Sequence, residues 1–150
     1  MKKVSSLILA LCCAIVVSAQ TPNAKTEKEA VITPSAVKKA FEKKFPKATK
    51  VIWGMEDATE YEAEFMFNGN ELSANFKADG SWVETEKEIK SSEFPKAVSN
   101  AIKKSYPHYT IKEAVKTESA KLGKFYEAEL VNGKDKIGVA YKEDGTPVKE

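Results

Sequence analysis

One short phrase is written twice in this chain: Tyr61-Glu62-Ala63-Glu64-Phe65 returns as Tyr126-Glu127-Ala128-Glu129-Leu130. The repetition extends beyond the phrase. Val37, Ala40, Phe41, Phe45 and Pro46 match Val98, Ala101, Ile102, Tyr106 and Pro107 at a constant offset of 61. The two phrases themselves are offset by 65, and the extra residues fall in the second copy's loop, TESAKLGK at 117–124. A single unit of roughly 55 residues buries only a marginal core. Two copies of such a unit can share a core or extend one sheet, and the sequence leaves open whether they form one continuous sheet or two beads.

Each copy spells out the same elements. Thr33 is placed to cap a helix with Pro34 at its first position, and Val37, Ala40, Phe41 and Phe45 form an apolar stripe at helical spacing. Pro46 stops that helix, because the residue before a proline is pushed out of the α region. In the second copy Ser91 or Ser92 caps, Pro95 starts the helix and Pro107 stops it. First strands are expected at ATKVIWGM and YTIKEAVK. In EYEAEFMF, Tyr61, Ala63, Phe65 and Phe67 share one face, with Glu60, Glu62, Glu64 and Met66 on the other. That alternation predicts a half-buried strand. Asn-Gly and Asp-Gly pairs then predict two hairpins per copy, with Leu72, Ala74 and Phe76 facing in, and likewise Ile137, Val139 and Tyr141. The last strand, WVETEKEI, is full in copy one, whereas copy two ends at PVKE. The expected architecture is α+β and two-layered: a tandem repeat of one helix followed by an antiparallel sheet of about four strands. Its units are residues 34–90 and 91–150.

The segment before the first unit reads as an address. Lys2 and Lys3, the apolar run from Leu7 to Val17 and the small-residue site at Val17-Ser18-Ala19 are the parts of a secretory signal peptide over 1–19, cleaved near Ala19. The apolar run is too short for a lasting membrane span. Residues 20–33 are polar and without period, and are expected to form a flexible leader. Both cysteines, Cys12 and Cys13, lie in the signal segment, and neither follows the small residue that a lipoprotein site needs. The processed chain then has no disulfide, thiolate nucleophile or Cys-ligated metal. Its charge changes as well: losing Lys2 and Lys3 leaves 22 basic against 22 acidic residues. All the basic residues are lysine, and no basic stripe points to nucleic acid.

Signal peptide, helix with an FP or YP stop, Trp-bearing strand, YEAE strand, NG hairpin, DG hairpin and an EFP helix start between the copies form an ordered set. That set resembles the PepSY-like, beta-lactamase-inhibitor-like domain family of secreted Bacteroidetes proteins, over residues 34–150. The resemblance implies a two-layer α+β fold and a place outside the cytoplasm. Copy two departs from the pattern, with Ala114 or Val115 where copy one has Trp53, and Pro147 where it has Trp82.

Catalytic constellations are absent from the sequence. His108, the one histidine, stands at a helix exit between Pro107 and Tyr109 and reads as a surface residue. Metal sites and catalytic triads need partners that it lacks. Glu60, Glu62 and Glu64 share one strand face, and Glu84, Glu86 and Glu88 another two strands along. Such a ridge is either a solvated face with lysine neighbours or a surface for a cation or basic partner. By alternation Trp82 falls on the face of Glu84 and Glu86, where it is either an interface anchor or packed on a loop or the neighbouring copy, and Trp53 reads as core. Gly138 and Ala140 leave the outer face of copy two low and open. The expected function is that of a secreted, periplasmic, non-enzymatic binding protein. Its working surface is the helix-free sheet face, through Glu60, Glu62, Glu64, Trp82, Glu84 and Glu86. A protein or peptide of the cell envelope is the expected partner, with inhibition or regulation of an envelope enzyme as one version. The alternative is a calcium binder using the acidic ridge. No cofactor and no metal site are assigned.

Overall fold

A computed structural model describes residues 31–149. The expected signal peptide at 1–19 and nearly all of the expected leader at 20–33 lie outside the described residues. The elements in chain order are α1 (Ser35–Lys44), β1 (Thr49–Met55), β2 (Glu60–Phe67), β3 (Asn70–Lys77), β4 (Trp82–Glu88), a short 3-10 turn (Ser91–Glu93), α2 (Lys96–Ser105), β5 (Thr110–Ser119), β6 (Gly123–Asn132) and β7 (Asp135–Tyr141). All seven strands form one antiparallel sheet in sequence order.

The first half has the four strands expected of a copy, and the continuous sheet decides what the sequence left open. β4 and β5 pair from Glu84 opposite Ser119 to Glu88 opposite Val115 and join the two halves. The second half has three strands. Its tail makes one isolated bridge, Tyr141 to Pro147, because proline has no N–H to continue a ladder. The extra residues of the second copy lengthen the β5–β6 hairpin, whose strands run 10 residues each against 7 and 8 in β1 and β2.

Both helices cover the same face of this sheet. Val37, Phe41 and Phe45 pack on Ala63, Phe65, Ala74 and Phe76, while Val98 and Ile102 pack on Ala114, Tyr126, Ala128, Leu130 and Tyr141. The predicted inward faces of β2, β3 and β7 are therefore the observed ones, and Trp53 packs at the edge of the first cluster. The first cluster is aromatic: Phe41 stands edge-on to Phe65 at 4.8 Å and to Trp53 at 5.3 Å. Neither predicted side-chain cap forms. Pro34 and Pro95 occupy the N-cap positions, and Thr33 Oγ1 is buried without a partner among the described residues.

The two Asp-Gly turns tuck under the helices in the same way. A Cβ on Gly80 would lie 2.8 Å from the Ala36 carbonyl oxygen, and one on Gly145 would lie 2.7 Å from that of Ala97. Both glycines also have positive φ, at +88° and +81°. Gly80→Ala is expected to cost about 1–3 kcal/mol from the left-handed backbone and the overlap together. Urea unfolding reads it as a lowered midpoint; an unchanged midpoint would mean that the turn and the first helical turn separate freely.

Candidate functional site

The face opposite the helices is organised by register. Residues directly opposite one another on paired strands point to the same side. Glu62 stands opposite Asn75 and Glu64 opposite Ser73. Asn75 in turn faces Glu84, and Ser73 faces Glu86. Glu84 continues to Ser119, and Glu86 to Thr117. Glu127, opposite Val115, falls on the same side. Glu56 closes the β1–β2 end, its N–H donating to the Glu60 carbonyl at 3.0 Å. Five of the six expected residues, Glu60, Glu62, Glu64, Glu84 and Glu86, thus share the helix-free face.

Their surroundings differ from a solvated ridge. Glu86 is 3% exposed, Asn75 2%, Ser73 3% and Thr117 0%, although α1 and α2 both pack on the other face. Across the middle of the face the register sets short polar side chains, Ser73, Asn75, Thr117 and Ser119, among longer glutamates, and this low, buried stretch is the recess. Polar groups in such a place are held by hydrogen bonds. Ser73 Oγ donates to Glu86 Oε2 at 3.4 Å, and Thr117 Oγ1 donates to Glu127 Oε1 at 2.7 Å. Asn75 Oδ1 is the exception, buried with no hydrogen-bond partner among the described residues.

Burial and like charge act together on the carboxyls. Glu84 is pushed up to about 7, first by burial and then by Glu86, Glu127, Glu60 and Glu56. Glu127 is also pushed up to about 7 by burial and by Glu86, against the opposing hydrogen bond from Thr117. Glu56 and Glu60 are raised as well, chiefly by burial. The sequence carried no sign of this desolvation. Perturbed carboxyls gathered in a recess are a mark of functional sites. Among the described residues no three His, Cys, Asp or Glu side chains converge to hold a metal ion.

Trp82 does not belong to this face. The register slips between Asn75, opposite Glu84, and Phe76, opposite Trp82. A β-bulge therefore places the extra residue Val83 in β4 and turns Trp82 over to the helix side. There its Nε1–H donates to Thr85 Oγ1 at 3.0 Å, and the Lys44 ammonium sits 3.5 Å from the ring centroid. Trp82 packs on the first core cluster, so its expected place beside Glu84 and Glu86 is overturned. Conversely, Glu127 was missed. It occupies the place of Glu62 in the repeated phrase, and the offset of 65 could have found it. Gly138 and Ala140 stand opposite Glu129 and Glu127 and are half-buried. Glu129 itself is tied to Lys112 at 3.0 Å and Lys136 at 3.3 Å and takes no part in the recess. A second concavity of about 280 Å³ lies between α1 and β1, lined by Phe41, Phe45, Val51 and Trp53 with Lys38 and Glu42. It gathers no comparable set of polar groups.

The family described as "Putative beta-lactamase-inhibitor-like, PepSY-like" matches residues 59–146, more than half of the chain. The chain belongs to this PepSY-like family. Solved structures agree with the match. A BLIP-like protein from Bacteroides fragilis is 27% identical to this PepSY-like chain, with a TM-score of 0.68 over 79% of this chain and 86% of that one. A DUF2874 family protein from Bacteroides ovatus is 25% identical, with a TM-score of 0.70 over 79% and 86%. A structure from Bacteroides eggerthii, described as one of "putative periplasmic proteins", shares the fold at 21% identity, with a TM-score of 0.70 over 79% and 88%. No curated protein gives a significant match. No helix among the described residues of the PepSY-like protein is long and apolar enough to cross a membrane.

Proposed function

We propose that this PepSY-like protein is a periplasmic, non-enzymatic binding protein. Its helix-free sheet face engages a protein or peptide of the cell envelope and so inhibits or regulates an envelope enzyme. The observation that carries this reading is the acidic recess at the centre of that face, where Glu84, Glu86 and Glu127 surround short polar side chains. The B. fragilis relative, described as BLIP-like, and the B. eggerthii relative, described as periplasmic, support it by analogy. A broad antiparallel face with one side free of helices suits a macromolecular partner. The calcium alternative has no comparable support, since no metal-holding group of side chains forms among the described residues.

Affinity capture tests the reading. The protein without residues 1–19 is immobilised and washed with envelope extract, with and without calcium. A single protein is expected to be retained by the native form and by Trp82→Ala, whose side chain lies on the helix side, and lost by Glu84→Lys. Equal retention by Glu84→Lys would move the interface off this face. No retention by any form would remove the binding-protein reading.

A further inference from the structure

The recess holds an acceptor with no hydrogen-bond partner among the described residues. Asn75 Oδ1 is buried and unpartnered among the described residues, and its side chain points to the face shared by the flanking Glu62 and Glu84. Above about pH 7, where Glu84 and Glu127 ionise, the carboxylates accept hydrogen bonds and cannot donate one. A buried acceptor left unmet costs roughly 1–3 kcal/mol, so it marks a place for a donor that is absent here. The charges acting on Glu84 are those of Glu86, Glu127, Glu60 and Glu56, all negative. The charge acting on Glu127 is that of Glu86, also negative. Lys77, paired across from Glu60, acts on Glu60. The centre of the face thus combines concentrated negative charge with an unmet acceptor, and metal-holding geometry does not form among the described residues.

A single kind of occupant meets all three conditions: a compact cation that is also a multiple hydrogen-bond donor. Lysine ammonium carries three donors and arginine guanidinium five. We propose that the recess around Asn75 is the docking site for a basic side chain, lysine or arginine, presented by the partner. This deepens the binding-protein reading and rests on it. The incoming N–H groups donate to Asn75 Oδ1 and to the carboxylates of Glu84 and Glu127. The site therefore exchanges protons for the partner's charge, and binding weakens as pH falls and the two carboxyls protonate.

Two peptides serve as probes, acetyl-hexalysine amide and acetyl-hexaglutamine amide. The side-chain carboxyls of the full chain are followed by carbon-13 NMR across a pH titration. Hexalysine is expected to lower the Glu84 and Glu127 midpoints from about 7, and hexaglutamine to leave them in place. Glu84→Gln and Asn75→Leu are expected to weaken hexalysine binding about tenfold each, the loss of one charge-assisted hydrogen bond. Glu118→Gln, an exposed change opposite Thr85 on the other face, is expected to leave binding unchanged. Glu84→Gln removes a crowded charge and is expected to fold. Hexalysine binding that leaves both midpoints unmoved, or that Glu84→Gln weakens no more than Glu118→Gln, would reduce the effect to diffuse attraction and overturn the proposal. So would an absence of binding. Calcium chloride moving the midpoints at matched ionic strength while hexalysine does not would replace the basic side chain with a metal. Partner capture that survives a failed hexalysine test would keep the face and discard the basic anchor. Hexalysine seated in the recess without any captured partner would keep the anchor site and discard the regulator.

Discussion

Phe65→Ala is expected to lower stability by about 3–5 kcal/mol, the usual cost of emptying a phenylalanine site in a packed core. Phe65 is 2% exposed and lies under the helix rather than beside it. Its ring stands edge-on to Phe41 at 4.8 Å and tilted to Phe45 at 4.6 Å, so both anchoring rings of α1 rest on it. Each such pair adds about 0.5–1.5 kcal/mol beyond area burial. The neighbours in the sheet, Ala63 and Ala74, are too small to fill the space left behind. Small domains of this kind keep roughly 5–15 kcal/mol in total, so the loss is a large share. Phe65→Leu is expected to cost less, because leucine is what the second half places there, as Leu130. Urea unfolding monitored by tryptophan fluorescence suits the test, since Trp53 and Trp82 both pack on this cluster. Far-UV circular dichroism then reports whether the second half unfolds with the first. A loss below that of Gly80→Ala would mean that the aromatic cluster is not the main anchor of α1.

Stability is expected to fall as pH rises from about 5 to 8, the reverse of a protein held by salt-bridged carboxylates. Glu84 and Glu127 sit at about 7 in the folded protein against the usual 4.5. Between those values the folded chain binds more protons than the unfolded chain, so raising pH favours unfolding. Their contribution is complete below about 4.5 and is lost as pH passes through 7. With allowance for the solvent that still reaches both groups, each is worth on the order of 2 kcal/mol. The lower edge of the window is set by other residues. Asp57, Asp79 and Asp144 are held below the usual carboxylate range by backbone N–H donors in their turns. Their contribution is lost only as pH falls through that lower range. The melting temperature is therefore expected to peak near pH 5. Glu84→Gln is expected to raise it at pH 8 and leave it unchanged near pH 5, because glutamine resembles the protonated acid. A melting temperature that rises from pH 5 to 8, or a glutamine variant that gains nothing at pH 8, would show that the carboxyls of the recess are better solvated than their burial indicates. The same carboxyls prevail in the proposed docking of a basic side chain, so the pH that favours the partner is the pH at which the empty site is under most electrostatic strain.

The parts of this protein that local chemistry controls were readable in order along the chain. Asn68-Gly69 turns β2 into β3, and Gly133 turns β6 into β7, with positive φ at each. Alternation in EYEAEFMF separated Phe65 from Glu64 correctly, because a strand side chain's face is set by its two immediate neighbours. The pattern of elements correctly announced an α+β chain, and the offset between the phrases at Tyr61 and Tyr126 leads from Glu62 to the missed Glu127. Tertiary structure decided the remainder. Whether two halves make two sheets or one depends on β4 meeting β5, a contact between halves that no local pattern records. The bulge at Val83 moved Trp82 to the helix side, because one extra residue reverses every assignment made by counting in twos. Glu86 is buried between Ser73 and Thr117 on the paired strands, residues 13 positions before it and 31 after. A run of glutamates in a strand gives the sign of a surface. Only the assembled sheet turns that sign into a recess with shifted carboxyls, since desolvation comes from atoms that the chain brings together after it has folded.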